Sequence, residues 1–184
     1  MKILLHTCCG PCAVVYTDGL DGLGYDYDFL WYNHNIHPYT EYRSRKQALE
    51  VFAKNKNCKL IMVDEYGLEG FVADALAKPQ ARCRSCYKNR LKFTAKKAKA
   101  EGYTAFSTTL LASPYQDFDT ICKKGNALAE KYGLQFIVED FRENFRPGMA
   151  KAREMGLYMQ KYCGCIFSEA ERYGRGANAW GVCQ

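Results

Sequence analysis

Short apolar runs alternate with longer, charged stretches of helical period along almost the whole chain. Residues 2–7 (Lys-Ile-Leu-Leu-His-Thr) read as a first strand, and residues 12–23 as a helix entered through Pro11, whose fixed φ suits a first helical position. Residues 27–33 read as a second strand, and residues 39–56 as an amphipathic helix with Ala48, Leu49, Phe52 and Ala53 on one side. A third strand is predicted at 59–64 and a short helix at 69–78, ended near Pro79. A long helix follows at 84–101, a fourth strand at 104–110, a helix at 117–132 stopped by Gly133, a fifth strand at 134–139 and a last helix at 147–162. The pattern places nothing in the glycine-rich stretch 168–184. The strands are apolar throughout rather than alternating, as befits strands covered on both faces. Strand–helix alternation of this kind predicts βαβ units and a mostly parallel five-stranded sheet with helices on both faces. No linker, repeat or low-complexity segment interrupts it, so residues 1–184 read as one α/β domain.

In such sheets ligands gather at the carboxyl ends of the strands. Strand one is followed there by Cys8-Cys9-Gly10-Pro11-Cys12, strand two by Asn33-His34-Asn35-Ile36-His37-Pro38, strand four by Thr108-Thr109, and strand five by Asp140-Phe141-Arg142.

Composition narrows the chemistry. At 48% hydrophobic and 25% charged residues the chain is an ordinary globular protein, with no apolar run of membrane-spanning length and no secretory leader in its first residues. The expected compartment is the cytoplasm. Structural disulfides are rare in that reducing setting, so the ten cysteines point to metal binding or redox work. Seven of them fall in three groups: Cys8, Cys9 and Cys12; Cys83 and Cys86; Cys163 and Cys165. The two C-x-x-C spacings let paired thiolates reach one metal from a turn or helix start, and Gly164 lets the third pair turn tightly. Two such pairs could hold a structural zinc. Seven thiols, one group of them on the first strand–helix loop, fit an iron–sulfur cluster with a further metal better. Cys58, Cys122 and Cys183 stand apart and read as incidental thiols. Neither G-x-G-x-x-G nor G-x-x-x-x-G-K-[ST] occurs, so no nucleotide cofactor is expected.

The net charge is +6, and residues 82–99 alone carry eight Lys or Arg and no carboxylate. A helix so charged, beginning at a thiol pair, suits a phosphate backbone whose bases would lie near the metal site. The fourteen tyrosines offer stacking surfaces, although most read as core. His34 and His37 read as hydrogen-bonding loop residues, and Asp140 as a metal ligand, an acid/base group or a cap.

Five motifs, in order from about residue 3 to residue 168, resemble the QueH family of cobalamin-independent epoxyqueuosine reductases. They are His6-Thr7-Cys8-Cys9-Gly10-Pro11-Cys12; Tyr32-Asn33-His34-Asn35-Ile36-His37-Pro38 with Glu41-Tyr42 and Arg45; Arg82-Cys83-Arg84-Ser85-Cys86-Tyr87 with Arg90-Leu91; Ser107-Thr108-Thr109-Leu110 with Ser113-Pro114; and Tyr162-Cys163-Gly164-Cys165. The family pattern has Pro where this chain has His34, read as a surface-loop change. The resemblance implies a HUP/Rossmann-like fold, a [4Fe-4S] cluster with a second mononuclear iron, and no cobalamin. Metal ligands would come from Cys8, Cys9, Cys83, Cys86, Cys163 and Cys165, with Cys12 in addition. Asn33, Asn35, His37 and Arg90 would contact substrate, and Asp140 or a loop tyrosine would supply a proton. The implied reaction removes the epoxide oxygen of epoxyqueuosine at the wobble position of tRNAs with GUN anticodons, the last step to queuosine. Electrons would come singly from a donor such as ferredoxin or flavodoxin. The competing expectation is a zinc-stabilised RNA-binding module without redox chemistry.

Overall fold

The structure is a computed structural model that describes residues 1–174. Its five strands are β1 (Lys2–His6), β2 (Asp26–Trp31), β3 (Leu60–Met62), β4 (Ala105–Thr108) and β5 (Gln135–Phe136). Its helices are α1 (Gly10–Gly22), α2 (Tyr39–Asn55), α3 (Leu68–Ala77), α4 (Arg82–Ala100), α5 (Phe118–Tyr132), α6 (Phe145–Glu154) and α7 (Ile166–Tyr173). The sheet order is β3-β2-β1-β4-β5, and every pairing is parallel, so the mostly parallel α/β expectation holds in its strictest form. β1 is central. Ile3, Leu4 and Leu5 are all fully buried, so successive side chains pack on opposite faces, which is why the run is apolar without alternation.

Right-handed crossovers place α1 and α2 on one face and α4 and α5 on the other. α6 returns to pack along α1. The approach is close: a Cβ on Gly148 of α6 would lie 2.6 Å from Cγ2 of Val15 and 3.1 Å from its Cα. Among the described residues no helix is long and apolar enough to cross a membrane.

The chain order reverses between β1 and β4, which flank the topological switch point where open α/β sheets bind ligands. β3 and β5 are shorter than expected, and three further departures bear on the site. α1 begins at Gly10, not at residue 12, because Cys9 itself caps it. The strand-four pattern stops at Thr108 and continues as a buried 3-10 turn, Thr109–Ala112, whose Leu110 and Leu111 are core residues. The last predicted helix ends at Glu154 rather than at 162, with Gly156 at φ +69° just beyond it. Residues 155–165 then run as a connection that delivers the third cysteine pair, and α7 occupies part of the stretch the pattern could not place. Cys183 lies outside the described residues.

Candidate metal centre

Cys9 is the N-cap of α1. Its Sγ accepts the N–H of Cys12 at 3.3 Å, the place where Ser or Asp usually stands, and Pro11 occupies the first turn. Gly10 lets this helix start press on α2, since a Cβ there would meet the Ala48 carbonyl oxygen at 3.1 Å. The sulfurs of Cys8, Cys9 and Cys12 all lie within 4.8 Å of one another, and all three residues are buried. Thr109, on the turn after β4, accepts the Cys8 N–H at 3.2 Å through Oγ1, which also lies 3.4 Å from the Cys8 sulfur. His6 is held in turn by Thr108 Oγ1 at 2.8 Å and the Tyr32 carbonyl at 3.2 Å. Burial, aided by the Arg90 charge, pulls the His6 pKa to about 3, so this ring is neutral at physiological pH.

The three thiols do not titrate alike. Hydrogen bonds from Cys12 and Cys9 hold the Cys8 sulfur well below the usual thiol range. Burial pushes Cys9 up, and its hydrogen bonding to Cys8 pushes Cys12 up. The three sulfurs thus form one coupled set in a buried pocket, with Cys8 the most acidic of them. That donor set suits a soft metal or an iron–sulfur group, whose binding would draw off the remaining protons.

A second thiol group is built from α4 and the segment before α7. Cys86 is buried in the first turns of α4, and Cys83, half-buried one turn earlier, is disulfide-bonded rather than a free thiol. Cys165 is buried as the N-cap of α7, its Sγ accepting the Ser168 N–H at 3.3 Å. Cys86 and Cys165 share a small cluster with Phe71 and Ala75 of α3. Burial raises Cys86 to about 11, and Cys163 and Cys165 add to the rise. Cys163 is exposed and accepts a hydrogen bond from Gln116 Nε2 at 3.7 Å.

Buried Arg45 of α2 clamps the segment that carries Cys163 and Cys165. Its Nε donates to Glu41 at 2.7 Å, its Nη1 to the Cys163 carbonyl at 3.0 Å and its Nη2 to the Tyr162 carbonyl at 2.8 Å. The His37 N–H donates to the Gly164 carbonyl at 2.7 Å, and the Tyr162 hydroxyl to the His37 carbonyl at 2.6 Å. Gly164 sits at φ +134°, and a Cβ on it would lie 3.1 Å from Arg45 Nη1. Gln160 reaches back to the first group, donating to the Cys12 sulfur at 3.5 Å. Nothing in the sequence pattern singles out Gln116 or Gln160, because both act only through chain segments that the topology brings together.

The loop after β2 lines the same region. Asn33, Asn35 and His37 are buried. Asn33 Nδ2 donates to the Thr7 carbonyl at 2.8 Å, while Asn33 Oδ1, Asn35 Oδ1 and both ring nitrogens of His37 have no hydrogen-bond partner. Buried polar atoms are normally hydrogen-bonded, so these four are available to water or to a bound ligand. His34 is not on the surface. It is half-buried, with its ring centroid 5.3 Å from Tyr32 and 6.1 Å from Phe71. The tyrosines divide: Tyr16, Tyr27, Tyr42 and Tyr87 are buried, whereas Tyr39, Tyr115, Tyr158 and Tyr173 are exposed. Asp140 is exposed on the loop after β5, gripped by Arg142 through Nε at 2.8 Å and Nη2 at 2.6 Å. That guanidinium holds its carboxyl below the usual range, so Asp140 is ionised at neutral pH.

This is a doubly wound parallel α/β protein whose switch-point crevice carries thiols where nucleotide-binding members carry a phosphate loop. The sequence model of the family described as epoxyqueuosine reductase QueH matches residues 3–171. The epoxyqueuosine reductase QueH of Dehalococcoides mccartyi is 35% identical over 95% of this chain and 96% of its own length. That of Thermotoga maritima is 35% identical over 92% of this chain and 91% of its own. The chain belongs to the QueH family. A solved structure described as a predicted subunit of a tRNA methyltransferase, from Methanocaldococcus jannaschii, superposes with a TM-score of 0.51 at 14% identity, covering 88% of this chain and 94% of that one. At that identity the likeness concerns the fold.

Proposed function

We propose that this protein is an epoxyqueuosine reductase acting on tRNA. The observation that carries the reading is the buried triad Cys8, Cys9 and Cys12 at the carboxyl end of β1, beside the β1–β4 switch point, in a chain whose Cys86 and Cys165 also pack together. Cys8, Cys9 and Cys12 would hold one metal group, and Cys86, Cys163 and Cys165 the other; the Cys83 sulfur is in a disulfide and is left out of the set. A [4Fe-4S] cluster and a second iron, when bound, would supply single-electron transfer and Lewis acidity toward the epoxide oxygen. The overall change consumes two electrons and two protons, releases water and leaves an alkene. A one-electron carrier such as ferredoxin or flavodoxin would supply the electrons.

The chain's own residues bind and orient. Asn33 Oδ1, Asn35 Oδ1 and the His37 nitrogens offer hydrogen bonds to the hydroxyls and base edge of the modified nucleoside. Neutral His6, locked by Thr108, stiffens the β1 end from which Cys8 and Cys9 project. Proton delivery by Asp140 would first require its release from Arg142. We therefore place that role on the hydroxyl of a loop tyrosine, Tyr66, whose ring centroid is 5.5 Å from that of His37.

The RNA would lie along α4. Arg84, Lys88, Lys92, Lys96 and Lys99 form an exposed stripe along that helix. Replacing Lys88, Lys92 and Lys96 together with Gln is expected to weaken tRNA binding and to reduce the slope of log K against log salt by about 1 for each phosphate no longer neutralised. Filter binding at several salt concentrations checks this, and an unchanged slope would move the RNA to another face.

The reading as a whole is tested by anaerobic purification, a visible spectrum, counts of iron, sulfide and zinc, and turnover on epoxyqueuosine-containing tRNA. A dithionite-bleachable band, iron in excess of sulfide and formation of queuosine are expected. A colourless protein that holds one zinc after reconstitution would instead be an RNA-binding module.

A further inference from the structure

Three arginines are buried in the described residues, and two have carboxylates. Arg45 pairs with Glu41 at 2.7 Å, and Arg82 with Glu171 at 2.7 Å. Arg90 is only 2% exposed, forms no ion pair with a carboxylate of the described residues, and leaves its Nε without a hydrogen-bond partner. A buried guanidinium without a counter-charge is too costly for a native fold to keep. The groups near Arg90 that become anionic once they bind a metal are the sulfurs of Cys86, one turn earlier on α4, Cys163 and Cys8, with the Tyr87 ring centroid 5.9 Å away. These sulfurs belong to both thiol groups, so the Arg90 charge acts on both. Its position also separates it from the RNA-facing lysines of the same helix, which lie on the exposed side.

We propose that Arg90 is the internal counter-ion of the thiolate–metal centre, a positioning residue that sets the centre's charge and hence its reduction potential, and not an RNA contact. The proposal rests on the iron–sulfur reading above. A fixed positive charge favours the reduced state, which carries one more electron, so removing it makes reduction harder.

The test compares anaerobically reconstituted wild type, Arg90→Gln and Arg90→Lys by redox titration followed in the visible band, together with tRNA binding. In Arg90→Gln the reduction equilibrium is expected to shift at least tenfold toward the oxidised form, a potential about 59 mV more negative for one electron. Arg90→Lys is expected to stay near wild type, with tRNA affinity unchanged in both. An unchanged potential in Arg90→Gln, or a fall in tRNA affinity at an unchanged potential, overturns the proposal. If Arg90→Gln does not fold, Arg90→Met takes its place in the same titration, and an unchanged potential in it likewise overturns the proposal. A Lys variant as defective as Gln shows that guanidinium shape matters instead, and the proposal falls. A wild type that holds no redox-active iron defeats the functional reading itself, and this is seen before any variant is compared.

Discussion

Alanine at Cys8 is expected to abolish epoxyqueuosine reduction, with turnover at least about 10³-fold below wild type. Loss of an outer-shell partner of a metal site already costs about 10–100-fold, and a ligand is worth more. Cys8 is the most acidic sulfur of the coupled triad, so its loss removes the member most ready to ligate as a thiolate and leaves two whose pKa values are raised. Iron and sulfide counts should fall with the activity. The fold should survive, because Cys8 is a small residue at the end of β1 that forms neither the α1 cap nor the strand pairing. Circular dichroism checks that point, and tRNA binding should be retained, since the basic stripe of α4 is untouched. Cys122→Ala, half-buried on α5, serves as the contrast and should leave iron content and turnover unchanged. A Cys8→Ala protein with full iron and full turnover would remove the triad from the mechanism.

Much of this is legible in the chain. The apolar runs locate all five strands, because a sheet buried on both faces writes itself as unbroken hydrophobicity. Their lengths are not legible. After Thr108 the chain stays buried while it turns, so Leu110 and Leu111 look like strand although they form a 3-10 turn. The helical pattern overruns the end of α6 because residues after Glu154 keep a mixed polar and apolar sequence, and only the positive φ of Gly156 marks the exit. The cysteine spacing announces the metal site. It cannot announce that Gln160 reaches Cys12, or that Arg45 holds the backbone of Tyr162 and Cys163, since sequence separations of 148, 117 and 118 residues are closed only by the fold. The strand-end rule puts Asp140 on the right edge of the sheet. It does not say that β5 is the outermost strand, beyond β4 and away from the β1–β4 crevice, where Arg142 rather than a thiol meets the carboxylate. His34 looks like a surface substitution because loops are usually exposed. Here the loop folds under α3, close enough that a Cβ on Gly67 would lie 2.6 Å from that of His34.

Arg45→Met is expected to destabilise the protein by about 3–5 kcal/mol, the usual result of leaving one member of a buried ion pair alone. Arg45 and Glu41 side chains are 2% and 7% exposed, so water cannot replace the missing partner. The Tyr162 and Cys163 carbonyls lose their donors in the same step. Two effects are therefore mixed: an unpaired carboxylate, and release of the segment that carries Cys163 and Cys165. The double variant Arg45→Met/Glu41→Leu separates them. It removes both charges, so denaturant unfolding should show most of the stability restored. Tyr158, which donates to Glu41, is 39% exposed and can turn to water. The Cys163 segment nevertheless remains unclamped, because Leu and Met cannot donate to its carbonyls. Iron loading and turnover should thus stay low in the double variant while stability recovers. Recovery of both together would mean that Arg45 serves only its ion pair with Glu41, and that the His37–Gly164 and Tyr162–His37 hydrogen bonds suffice to hold the second thiol group against the first.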